Sequence, residues 1–174
     1  FAENTNPNNE SGSIREVMTG ADVFVGLSGP GLITADDVAV MADDAIIFAL
    51  ANPTPEIAPE ECPDNVTVIA TGRSDYPNQI NNSLGFPGLF RGIFDVRASE
   101  INDEMKVAAA RALASVIPEE SLGPDFVIPS VFDGNVVNRV AAATSQAAID
   151  SGVARRSNRA SEDDAESYTS FRPR

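Results

Sequence analysis

The chain has 174 residues, 43% of them apolar, and a formal net charge of −14, enough for one domain of ordinary size with a core. Lys106 is its only lysine, and such an acidic balance excludes the clustered cations that nucleic acid or an anionic membrane surface needs. It contains no histidine, which excludes a Ser-His-Asp hydrolase and a His-based zinc enzyme for this polypeptide taken alone.

The chain opens at Phe1 on a polar stretch, Asn4 to Ser13, and reads as a piece of a longer protein. Three short apolar runs follow, Asp22–Leu27, Ala45–Leu50 and Val66–Ala70. Each is near-continuously apolar, as in parallel strands covered on both faces. They recur at about 22 residues, the scale of a strand–helix unit. Between the first two, Thr34 is a good N-cap, Asp36 and Asp37 suit a first turn, and Val38, Met41 and Ala42 face inward on a short helix. Pro53 to Asn65 reads as a loop with at most one helical turn. Phe86 to Val96 reads as a buried helix opened by Pro87 and capped near Ser83 or Gly85. Asn102 to Val116 predicts an amphipathic helix with Met105, Ala108, Ala109, Ala112 and Leu113 on one face. Phe126 to Pro129 is an extended link. Asn135 to Ser151 predicts an alanine-rich helix ended by Gly152. From Ser157 the composition turns polar and charged without periodicity, so 157–174 is expected to be a disordered acidic and polar tail.

Ligands of doubly wound sheets bind outside the carboxyl ends of the strands. Here those ends read Gly26-Leu-Ser28-Gly29-Pro-Gly31, Asn52-Pro53 and Thr71-Gly72-Arg73-Ser74, which parallel strands would set side by side on one rim. Gly26, Gly29 and Gly31 would let a ligand approach the backbone, or simply form a strand-to-helix turn. Asn52 offers a donor and an acceptor, suited to a ribose hydroxyl, a nicotinamide amide or a substrate carboxylate, or serves only as a turn residue. The loop through Asn81 and Asn82 concentrates side-chain amides where an apolar helix begins. It must satisfy its own polar groups or bind something.

These residues resemble a known family. Gly20-Ala-Asp-Val-Phe-Val-Gly-Leu-Ser-Gly-Pro-Gly31, Ile47-Phe-Ala-Leu-Ala-Asn-Pro-Thr54 and Ala70-Thr-Gly-Arg-Ser-Asp-Tyr-Pro-Asn-Gln-Ile-Asn-Asn82 are similar to the NAD-binding domain of malic enzymes of the short prokaryotic type. The resemblance continues through Phe86-Pro-Gly-Leu-Phe-Arg-Gly92, Asp95-Val-Arg-Ala98 and Ser151-Gly-Val-Ala-Arg-Arg156. It implies an α/β fold: a doubly wound parallel sheet, the second half of a Rossmann-like NAD(P)-binding domain over 1–156, followed by C-terminal helices and lacking the domain's first strands. It implies oxidation of L-malate with NAD or NADP and decarboxylation to pyruvate, using Mg²⁺ or Mn²⁺. It places Asn52 and Asn82 at the substrate, and Gly26, Ser28, Gly29, Asn52 and Asn81 at the cofactor. The catalytic tyrosine and lysine, the substrate arginine, the metal ligands and the Gly-rich pyrophosphate turn of the family would lie upstream of Phe1, and this chain alone is expected to be inactive. A homo-oligomer is expected for the full-length parent. The competing readings are a non-catalytic nucleotide-binding module and the half-domain of another NAD-dependent dehydrogenase.

Acidity with almost no lysine fits solubility in high salt, so a halophilic source is expected, with an ordinary acidic cytosolic protein as the alternative. Cys62 is the only cysteine, so no intrachain disulfide exists and it reads as inert packing or surface. With no membrane-spanning run and no signal pattern, a cytoplasmic location is expected.

Overall fold

The computed structural model describes residues 4–156; the tail expected over 157–174 lies outside the described residues. Within the stretch read as one domain, the described residues form two compact units: 4–80 with 122–127, and 81–121 with 128–156.

The first unit is an α/β layer. Strands β1 (Val23–Gly26), β2 (Ala45–Ala49) and β3 (Val66–Thr71) form a three-stranded parallel sheet in the order β1-β2-β3. Helix α1 (Ile14–Met18) precedes β1, and α2 (Ala35–Val38) crosses from β1 to β2. Both are short, and both begin with a capping box that satisfies orphan N–H groups of the first turn. Ser13 Oγ accepts from Glu16 N while the Glu16 carboxylate accepts from Ser13 N; Thr34 and Asp37 repeat the arrangement. The helix expected between the first two strands is therefore a single turn, with Val38 and Met41 buried as its spacing predicts.

β2 is central, and its alternate residues Ala45, Ile47 and Ala49 are buried with Met18, Ile33, Val38, Met41 and Ile57. β1 departs from the expected two-sided burial: Val23 and Val25 are 49% and 54% exposed. An apolar run reports affinity for a covered environment, but the covering must come from elsewhere in the fold. Among the described residues nothing covers that face of β1. Pro53 to Asn65 holds only a 3-10 turn, Pro59–Glu61, in line with its proline content.

The second unit is helical. A 3-10 turn at Asn82–Leu84 leads into α3 (Phe86–Asp95), followed by α4 (Asp103–Ala114) and α5 (Gly134–Asp150). α5 packs on both α3 and α4. Gly88 and Gly92, one helical turn apart on α3, make its approach possible. A Cβ at Gly88 would lie 2.6 Å from Val140 Cβ, and one at Gly92 2.6 Å from the Ala141 carbonyl oxygen. The expectation that α3 is buried holds for that face only. Phe86, Phe90 and Phe94 form an exposed stripe with ring centroids 5.9 and 6.4 Å apart in succession, Phe94 being 71% exposed. α4 matches its predicted pattern, with Asn102 capping it and Met105 fully buried.

Candidate functional site

The three strands of the first unit end together. Gly26 pairs with Ala49, and Ala49 with Thr71, so the chain leaves the sheet at one level and places Ser28, Asn52 and Gly72 on a single rim. This is where a parallel sheet gathers residues distant in sequence.

The Ser28 and Asn52 side chains are exposed. Asn52 carries the cis bond to Pro53, and its amide has no hydrogen-bond partner among the described residues. Around Gly29 and Gly31 a Cβ would meet nothing within 4 Å; the turn after β1 is open to close approach. Gly26 differs from the expectation attached to it. A Cβ there would lie 2.5 Å from the Glu56 carboxyl carbon, so the space left by this glycine is filled from inside the protein.

Glu56 was not singled out in the sequence, where it is one of several glutamates in a Pro-rich loop. It is 0% exposed. Its carboxylate accepts from Ser28 N at 2.9 Å and Ala51 N at 3.1 Å. Burial pushes its carboxyl up, but these backbone hydrogen bonds outweigh that and hold it below the usual carboxylate range. The available signal was position: an acid set between Pro55 and Ile57, shortly after Asn52-Pro53.

After β3 the chain turns back on itself. Ile80 N donates to Thr71 O at 2.7 Å. Asn78, in a left-handed conformation and buried, donates through Nδ2 to Ile69 O and Pro124 O and accepts from Val127 N at 2.8 Å. It binds the 122–127 segment to β3, with both Nδ2 donors and one Oδ1 acceptor site committed inside the protein. Tyr76 donates to Glu60 at 2.7 Å, a bond that raises its phenol pKa. Arg73 is paired with Asp75 and stands over the Tyr76 ring.

Asn81 and Asn82 belong to the second unit, at the entrance to α3. Asn81 Oδ1 accepts from Ser83 N at 2.9 Å, capping the 3-10 turn and leaving its Nδ2 to donate. Asn82 is exposed and has no hydrogen-bond partner among the described residues. Of the amides in this loop, Asn78 is structural, Asn81 is half committed and Asn82 is free. The structure places Gly26, Ser28, Gly29 and Asn52 on the sheet rim, and Asn81 and Asn82 at the start of the helical unit.

Neutral hydroxyl and amide groups with glycine turns can bind and orient a polar ligand. They cannot remove a proton from one. The rim fits a dinucleotide, which needs close backbone approach and neutral hydrogen-bonding groups. It does not fit a divalent metal: among the described residues no three His, Cys, Asp or Glu side chains converge to hold one.

Residues 2–149 match the family described as malic enzyme, NAD binding domain. The chain is 57% identical over 158 residues to an NAD-dependent malic enzyme of Geobacillus stearothermophilus, covering 91% of this chain and 33% of that protein. It is 49% identical to an NADP-dependent malic enzyme of Halomonas elongata, covering 83% of this chain and 38% of that one. The crystal structure of a malic enzyme from Pyrococcus horikoshii matches with a TM-score of 0.85 at 44% identity, over 93% of this chain and 38% of that chain. The chain thus spans about a third of the length of these relatives. With the parallel sheet, its polar rim and the matched stretch in agreement, the chain belongs to the malic enzyme NAD-binding domain family.

Proposed function

We propose that this chain forms part of the dinucleotide site of an enzyme that oxidises L-malate with NAD or NADP and releases pyruvate and CO₂. The observation that carries the reading is the rim. Three parallel strands end in register beneath an open glycine turn and two exposed side chains, Ser28 and Asn52, in a chain of this family. Ser28 and Gly29 line the cofactor cleft, and Gly26 beneath them leaves room for the Glu56 carboxylate rather than for the ligand. Asn52 offers its uncommitted amide to malate and to the nicotinamide side of the cofactor. For Asn81 and Asn82, in the second unit, the family resemblance supports a cofactor role and a substrate role respectively, and each has an uncommitted amide group to fill it. The cofactor, when bound, accepts the hydride from malate; the residues named here bind and orient. They supply no acid, no base and no metal ligand, so the proposal assigns these, with Mg²⁺ or Mn²⁺, to parts of the enzyme outside this chain.

Finer elements of the proposal are an enzyme of the short prokaryotic type, homo-oligomeric, cytoplasmic and from a halophilic source. No helix among the described residues is long and apolar enough to cross a membrane. The net charge of −14 supports the saline setting through screening of self-repulsion.

The test is a nicotinamide absorbance assay with malate and Mn²⁺, run on the complete enzyme and on this chain alone. Malate-dependent reduction of NAD or NADP by the complete enzyme, with pyruvate formed in equal amount and none by the isolated chain, is the expected result. Reduction without malate, or none with either cofactor, would remove the proposal. Turnover by the isolated chain would show that the catalytic groups are misassigned.

A further inference from the structure

Glu56 stands between the two turns that carry Ser28 and Asn52. One carboxylate oxygen lies 2.9 Å from Ser28 N and 3.4 Å from Ser28 Oγ; the other lies 3.1 Å from Ala51 N. The backbone continues the same junction: Gly31 N donates to Pro55 O and Ile33 N to Glu56 O. No Lys or Arg among the described residues pairs with the carboxylate. A buried carboxylate without a cation is costly unless N–H donors satisfy it. Two donors converging from two separate turns need an acceptor at each oxygen, which a carboxylate offers and a carboxamide does not. Gly26 leaves the volume the carboxyl group occupies.

We propose that Glu56 is the positioning residue of this rim. Its buried carboxylate ties the turn after β1 to the turn after β2, and so sets the spacing at which Ser28 and Asn52 meet the dinucleotide. Because the Ser28 and Ala51 N–H groups point inward to Glu56, the ligand meets the Ser28 hydroxyl and the Asn52 amide rather than those N–H groups. The dinucleotide part of this inference rests on the function proposed above; the tie itself does not.

The experiment uses the complete enzyme and the variants Glu56→Gln and Gly26→Ala. The first replaces one acceptor by a donor. The second keeps the carboxylate and displaces it with a methyl group. Hydrogen exchange read by mass spectrometry on peptides spanning 26–30 and 50–52 reports the tie without any cofactor, and peptides from β2 serve as the internal reference. Calorimetric titration with NADH and NADPH reports the consequence. Both variants are expected to lose protection at the two turns while β2 keeps its own, and to raise Kd by about ten- to a hundred-fold, the scale of a lost bond to a charged group. A residue that only supported folding would lower the number of sites per chain and leave Kd unchanged. If Glu56→Gln does not fold, Gly26→Ala decides. Unchanged exchange at both turns overturns the tie. Lost protection with unchanged Kd overturns the positioning role. A wild-type enzyme that binds neither cofactor overturns the dinucleotide reading and the positioning role together; the exchange measurement tells this apart from failure of the tie.

Discussion

Replacing Gly92 by alanine should destabilise the second unit, although alanine is the better helix former. The methyl group would lie 2.6 Å from the Ala141 carbonyl oxygen, 2.7 Å from Thr144 Cβ and 3.1 Å from Ser145 N. Two of these are α5 backbone atoms, and neither can yield by a rotamer change. α5 must therefore move off α3, and overpacking of this kind costs about 1–3 kcal/mol. Immovable neighbours put Gly92→Ala near the upper value of about 3 kcal/mol. Helix propensity returns about 1 kcal/mol, leaving a net loss of about 2 kcal/mol. For a chain of this size that is a Tm decrease of roughly 4–8 °C. Gly134→Ala is the matched control. Gly134 begins α5, and a Cβ there meets nothing within 4 Å; the same chemical change should raise stability by about 0.4–1 kcal/mol. Thermal melts followed by far-ultraviolet circular dichroism on both variants give the comparison. A Gly92→Ala protein as stable as wild type would show that α3 and α5 are not packed this closely.

Asn52→Ala and Asn82→Ala in the complete enzyme should each lower kcat/KM by about ten- to a hundred-fold, for a lost bond to a charged ligand group of roughly 1.5–3 kcal/mol; wild-type kinetics from both would remove them from the site. Glu56 has a folded pKa below its usual value, so its contribution is present above the unfolded pKa of about 4.3 and is lost as pH falls through the folded value. The stability gap between wild type and Glu56→Gln, measured by denaturant titration, should therefore be wide at neutral pH and close under acid; a gap independent of pH contradicts an ionised Glu56. Burial, with Glu61 and Glu60 nearby, pushes the Cys62 thiol up to about 11, so alkylation by iodoacetamide at neutral pH should run about a hundred-fold slower than for an exposed cysteine. A rate equal to that of free cysteine would refute this. Thermal melts in low and in molar KCl should show Tm rising with salt, since screening relieves self-repulsion at net charge −14; a flat or falling Tm contradicts the halophilic reading.

Local patterns in the sequence carried much of the fold. Thr34 and Asn102 cap helices because a side-chain oxygen one residue before a helix satisfies an orphan N–H, a contact made within a few residues of chain. The short apolar runs became parallel strands, and their shared endings put Ser28, Asn52 and Gly72 on one rim, because a parallel sheet aligns equivalent ends. The family was legible too, since its motifs are contiguous stretches. What the sequence left open depends on groups brought together from far apart. Glu56 reads as an ordinary loop acid until the fold turns it inward, 28 residues from Ser28. Gly26 reads as a place for a ligand until Glu56 fills the space. α3 reads as buried throughout, yet only the face toward α5 is covered and its phenylalanines remain exposed. Among the asparagines, composition marked a group but could not separate Asn78, held between β3 and the 122–127 segment, from the free Asn82. Backbone capping and strand patterning are short-range and written in neighbouring residues. Burial of a charge, the covering of an apolar face and the commitment of an amide are settled by what arrives from elsewhere in the chain, which only the tertiary structure supplies.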